Sequence, residues 1–140
     1  MSEPLYTREI LRLASEISHL GLLVDPDGSA DLRSPTCGSR VQVMVRVDGE
    51  SRISELGQTV SACAFGQASA ALMAANAIGR TRWDVDSALA DLTVWLAGTR
   101  DDPGAWPGLA TLAPARPKTG RHGAILLPFR ALLAAIDSAP

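Results

Sequence analysis

Cys37 and Cys63 are the two residues whose type and placement offer the plainest chemistry in this chain. Thiolates are soft ligands for zinc, iron and iron–sulfur clusters, and they are the nucleophiles of redox exchange. Cys37 sits in Pro35-Thr36-Cys37-Gly38, a loop whose flexible backbone can approach an ion. Cys63 stands just before a helical run, where free amides and the helix dipole favour an anion. Three readings stay open on these residues alone: a buried structural thiol at each site, a redox pair, or a metal or cluster site. Competing motifs are missing. There is no glycine-rich phosphate loop, no Ser/His/Asp order of note and no pair of Cys-x-x-Cys units.

The elements around the cysteines can be read from periodicity. Val41, Val43, Val45 and Val47 alternate with Gln42, Met44 and Arg46, which predicts a strand with one buried face. Asp48-Gly49 reads as a two-residue hairpin turn, with Ser51 to Val60 returning antiparallel, Ile53 inward and Gly57 a bulge or bend. On that turn Val60 falls opposite Cys37, and Cys63 lies three residues beyond. Both cysteines then belong to the sheet end opposite the turn.

Ahead of the hairpin, Leu5 or Tyr6, Ile10, Leu13, Ile17 and Leu20 form one apolar helical stripe. Ser2 is the expected N-cap, Pro4 suits the first turn, Gly21 the left-handed cap, and His19 lies on the polar flank. Asp25 to Ser29 reads as a turn, and Ala30 to Thr36 as a short strand. After Cys63, the alanine-rich run Ala64 to Ile78 predicts a closely packed helix ending at Gly79. Thr81 and Asp84 form a candidate capping box for a helix carrying Val85, Leu89, Leu92, Trp95 and Leu96, closed by Gly98. Thr99 to Gly123 is proline- and glycine-rich and predicts an irregular connection, with a short helix near Leu109 to Leu112. Ile125, Leu126, Phe129, Leu132, Leu133 and Ile136 support a last helix, with Pro128 at the edge of the irregular stretch. The fold class is α+β: an N-terminal helix, a small antiparallel sheet of about three strands, then packed helices.

The 140 residues, 46% hydrophobic and 20% charged, suit one domain over 1–140. A net charge of -2 gives no general attraction for nucleic acid or anionic lipid. The sequence lacks an apolar run long enough for a membrane span, and its start lacks a secretory pattern. The expectation is therefore a cytoplasmic protein, no nucleic acid or membrane partner, and free thiols.

These motifs and their order resemble the U-type iron–sulfur cluster assembly scaffold family, the NifU N-terminal, IscU and SufU group, from about Tyr6 to Ile136. Pro35-Thr36-Cys37-Gly38-Ser39 occupies the family's Pro-x-Cys-Gly-Asp loop. Ala62-Cys63-Ala64-Phe65-Gly66-Gln67-Ala68-Ser69-Ala70 matches the second cysteine stretch at the start of an alanine-rich helix, with Gly79-Arg80 after it. Arg121, Leu127, Phe129, Ala131 and Leu132 match the frame of the third. Three residues depart from the pattern: Ser39 replaces the aspartate, Ala62 a glycine, and Ala124 the third cysteine.

The resemblance implies a scaffold rather than an enzyme. It would bind iron, a transient Fe–S cluster or zinc through Cys37 and Cys63. Two thiolates do not complete a tetrahedral site. His122, two residues from Ala124, is the candidate third ligand, and its alternative is a solvated loop residue beside Arg121. Two subunits giving two cysteines each would also complete a cluster. A cysteine desulfurase and cluster-recipient proteins are the implied partners, and the chain is expected as a monomer or homodimer. An alternative is a family member with a decayed metal site acting as a regulatory or interaction protein. A third reading is sulfur transfer through a persulfide on Cys63. Arg116, Lys118, Arg121 and Arg130 are basic residues near the site, either a docking patch for an acidic partner or a solvated surface.

Overall fold

The computed structural model describes residues 6–35 and 38–140. The element order is α1 (Arg8–Ala14), β1 (Gly28–Arg33), β2 (Arg40–Val47), β3 (Ile53–Ser61), α2 (Ala64–Ala77), α3 (Arg82–Leu96) and α4 (His122–Ser138), with 3₁₀ segments at Leu109–Ala115 and Thr119–Arg121. The three strands form one antiparallel sheet in the order β1-β2-β3. The expected α+β class and layout are therefore present.

The alternation of β2 sets the layers. Val41, Val43 and Val45 are fully buried and face the helices. α4 packs on β1 and β2, α2 packs on β3, and α1 and α3 flank α2 and α4 respectively. The helices thus cover one face of the sheet. α2 sits deepest, with ten of its 14 residues buried, as its alanine content predicts. Small side chains let neighbouring backbones approach, at the cost of a conventional amphipathic stripe.

Several boundaries differ from expectation. α1 starts one residue after its Thr7 cap and ends at Ala14, short of Ile17 and Leu20. Ser2, Pro4 and Leu5 lie outside the described residues. His19 is exposed with φ 59°, in no helix, and Gly21 at φ 109° serves a bridge to β3 rather than a helix cap. The reason is an edge contact: Gln58 N–H donates to the His19 carbonyl and Gly21 N–H to the Gln58 carbonyl, each at 2.9 Å. Residues 19–24 therefore leave the helix to strap the sheet.

The strap also explains Gly57, which is no bulge. It pairs in register with Met44, and a Cβ there would meet the Gly21 carbonyl oxygen at 2.6 Å. The irregularity falls instead between Arg46 and Val47. Gly28 and Ser29, expected in a turn, already belong to β1.

The hairpin is longer than two residues. Asp48 N–H donates to the Arg52 carbonyl, and the Asp48 carboxylate accepts from the Glu50 and Arg52 amides. Ser51 takes the left-handed conformation at φ 61°. The Asp48 side chain stabilises a wider loop than Asp48-Gly49 alone would make. The ladder consequently runs from Arg40 opposite Ser61 to Val47 opposite Ile53.

The connection after α3 is irregular but anchored. Trp106, 4% exposed, donates from its indole N–H to the Leu72 carbonyl and meets the Phe129 ring edge-on at 5.3 Å. Pro128 lies inside α4, not beside it. No helix among the described residues is long and apolar enough to cross a membrane.

The Thr81 capping box is complete: Thr81 Oγ1 accepts from the Asp84 amide and the Asp84 carboxylate accepts from the Thr81 amide. That second bond is the main cause holding the Asp84 carboxyl below its ordinary range. A lowered native pKa stabilises the fold above the unfolded-state value, and the contribution is lost as pH falls through the native one. Thr81→Ala should cost about 1 kcal/mol in urea unfolding at pH 7. Asp84→Ala should narrow the stability difference between pH 7 and pH 3, measured the same way.

Candidate functional site

β1 and β2 are joined by a turn whose described residues are held by backbone bonds. Ser34 N–H donates to the Ser39 carbonyl at 2.8 Å, and Gly38 N–H donates to the Ser34 carbonyl at 3.1 Å. Gly38 has φ 72°, a conformation glycine adopts freely. Ser39 is buried, 4% exposed. Thr36 and Cys37 lie outside the described residues, but Val60 pairs with Val41, so the expected pairing of Cys37 opposite Val60 does not form: the wider hairpin loop shifts the register along β2. The turn follows Arg33 and precedes Arg40, and Arg40 pairs with Ser61, two residues before Cys63. The flanks of both cysteines thus meet at one end of the sheet.

Cys63 is the N-cap of α2. It is half-buried, packs against the core edge and makes no side-chain capping bond. Its carbonyl accepts from the Gln67 amide at 2.9 Å, the first helical bond. The first turn of α2 carries no acidic residue, so nothing there opposes an anion by charge.

Ala124 stands at the same place from the other side. It is the third residue of α4 as Gly66 is of α2. A Cβ on Gly66 would lie 2.7 Å from the Ala62 Cβ, 3.2 Å from the Ala124 carbonyl oxygen and 3.3 Å from the Ala124 Cβ. The two helix N-termini therefore touch through Gly66 and Ala124, with Ala62 beside them. Ala124 is 1% exposed. One turn further in, Ser69, fully buried, donates its hydroxyl to the Ile125 carbonyl at 2.6 Å. Pro128 has no N–H, so the Ala124 carbonyl lacks its usual donor four residues on.

His122 opens α4. Its Nε2 lies 3.0 Å from the Ala115 carbonyl oxygen and 2.9 Å from that of Arg116. Carbonyl oxygens only accept, so Nε2 carries a proton and Nδ1 is the nitrogen left for another partner. His122 is therefore neither a plainly solvated residue nor one free at both nitrogens.

Arg116 belongs to the packing rather than to a basic patch. Its guanidinium donates to the Trp95 and Arg100 carbonyls and lies 5.1 Å from the Trp95 ring centroid. Lys118 and Arg130 are exposed and Arg121 is half-buried. Among the described residues, no group of three His, Cys, Asp or Glu side chains converges.

Gly66, Ser69 and the placement of Pro128 were not singled out by periodicity. A signal existed for Gly66: an interior helix glycine costs about 1 kcal/mol relative to alanine, so it marks a close approach.

A small sheet with helices on one face, and a thiol at the pole where a strand turn meets two helix N-termini, is the build of a U-type scaffold, a class of non-enzymatic proteins. The chain belongs to the NifU-like N-terminal domain family, whose model matches residues 5–93. The chain is similar to the crystal structure of a nitrogen-fixing NifU-like protein (N-terminal) from Brucella abortus, with 30% identity and a TM-score of 0.90 over 96% of this chain and 93% of that one. A candidate iron–sulfur cluster assembly scaffold protein for the SUF system from Fervidobacterium islandicum shares the fold, with 20% identity and a TM-score of 0.85 over 94% of this chain and 96% of that one. A search of curated proteins finds no match.

Gly66→Ala should destabilise the protein by about 1–3 kcal/mol in denaturant unfolding, because the added methyl overpacks the Ala62–Ala124 contact.

Proposed function

We propose that this chain is an iron–sulfur cluster assembly scaffold that holds iron, a transient Fe–S cluster or zinc through Cys37 and Cys63. His122 is the third donor of the proposal, through Nδ1, since Nε2 is engaged by two carbonyls. The observation that carries the reading is the pole itself. The half-buried Cys63 caps α2, and Ala124, the third-ligand position of the family resemblance, packs on Gly66 in the first turn of the same helix. A cysteine desulfurase would supply sulfur and recipient proteins would take the cargo. The working compartment of the proposal is the cytoplasm, and the chain is one scaffold domain.

Ala124 favours a second reading. Alanine at the third position leaves one chain short of the four ligands that a cluster iron or zinc ordinarily takes. A member with a decayed site would act as a regulatory or interaction protein.

Protein purified without oxygen should contain iron with sulfide, or zinc, by elemental and sulfide analysis. Cys37→Ser and Cys63→Ser should each reduce that content at least tenfold, and Ala124→Cys should tighten binding. A colourless wild type without either metal would overturn the scaffold reading and favour the second.

A further inference from the structure

We propose that residues 19–25 form a docking surface for a second copy of this chain, the two copies meeting about Leu22 with His19 of each against Asp25 of the other, independently of any cargo. Among the described residues, seven large hydrophobic side chains are exposed, and Leu20, Leu22 and Val24 are three of them, at 63%, 54% and 79%. Single exposed apolar residues are ordinary, but three at alternate positions of one short segment make a patch, and such a patch marks an interaction site. The segment is held in place. Leu23, between the outward residues, packs over Gly57, where a Cβ would lie 3.2 Å from its side chain. The Arg46 guanidinium donates to the Val24 carbonyl, and the Gln58 side-chain amide donates to the Ser18 carbonyl at 3.1 Å. The Gln58 backbone bonds to both His19 and Gly21. A segment already fixed loses little freedom when a partner covers it.

The surface is complementary to itself, as a two-fold pair requires. A two-fold axis at Leu22 reverses the segment. Leu22 then meets its own copy and Leu20 meets Val24, apolar against apolar. Gly21, which has no side chain, falls opposite Leu23, whose side chain is turned inward. The ends match as well. His19 and Asp25 bound the segment, both exposed and both left-handed, at φ 59° and 55°. Among the described residues, neither side chain makes a hydrogen bond or ion pair with the rest of the chain. The same axis sets each imidazole, a donor, against a carboxylate, an acceptor. The second copy thus carries both the aliphatic centre and the complementary ends. Gly21, at φ 109°, departs from strand backbone, so the contact is one of side chains and not a continued sheet.

Sedimentation equilibrium of the full chain, with its thiols kept reduced, reads the association. The wild type should pass from monomer towards dimer between about 10 μM and about 1 mM, the weak range of a small interface. Leu22→Asp should weaken the pair about tenfold or more, because it sets two carboxylates together at the apolar centre. The ends are tested by exchange, since histidine and aspartate both tolerate the left-handed backbone. His19→Asp sets carboxylate on carboxylate and Asp25→His sets imidazole on imidazole, so each should weaken the pair by about threefold or more. The double variant H19D/D25H should restore it. An equimolar mixture of the two single variants should also associate like the wild type, because every aspartate then faces a histidine. A wild type still monomeric at about 1 mM would overturn the second copy as occupant and leave the patch to a different protein. A dimer indifferent to Leu22→Asp, or single variants that do not regain association when mixed, would overturn the surface.

Discussion

The contact between α2 and α4 is the constraint on which the rest of the molecule depends. Each helix enters the core with its third residue pressed on the other, Gly66 against Ala124. One turn on, the Ser69 hydroxyl bonds across to the Ile125 carbonyl. Proline at 128 removes an amide from the α4 ladder nearby. The approach is close because the residues there are small, and a buried hydroxyl satisfies a carbonyl that faces the neighbour. Both helices then reach the sheet, α4 over β1 and β2 and α2 over β3. The pole that carries Cys63 is thus fixed by the same few atoms that hold the core together.

That coupling bears on what the missing cysteine means. In the family frame the third ligand position lies within the helix contact, not on a free loop. Ala124 is buried and lies against Gly66, so the residue at this position serves the helix contact. With alanine at this point the chain keeps the architecture of its structural neighbours. Architecture and metal chemistry are separable because the first depends on volume and the second on the donor atom.

Much of the architecture was legible because it rests on periodicity. The valines of β2 and the apolar stripe of α3 name their buried faces, and the Thr81–Asp84 pair announces its cap. What could not be read lies where a long-range contact overrides a local pattern. Leu20 continues the spacing of α1, yet the edge of β3 draws residues 19–21 away. Asp48-Gly49 is a good two-residue turn by composition, yet the Asp48 carboxylate gathers two later amides and widens it. Pro128 adjoins the proline-rich stretch in sequence, yet it lies inside α4. At the candidate site, Cys63 was placed correctly at a helix start, whereas the second bonded partner of His122 depends on a loop whose path has no periodic signature.

The strap over residues 19–24 has a consequence for how copies of the chain can meet. Sheets with a bare edge recruit further strands, and β3 is an edge strand of this sheet. At its middle, the outward amide and carbonyl of Gln58 are already taken by His19 and Gly21. Strand addition along β3 is blocked there, so the fold discourages open-ended stacking of sheets. On the opposite edge the amide and carbonyl of Ser29 in β1 are engaged by the Ser138 hydroxyl, so each edge of the sheet is interrupted as a template for a further strand.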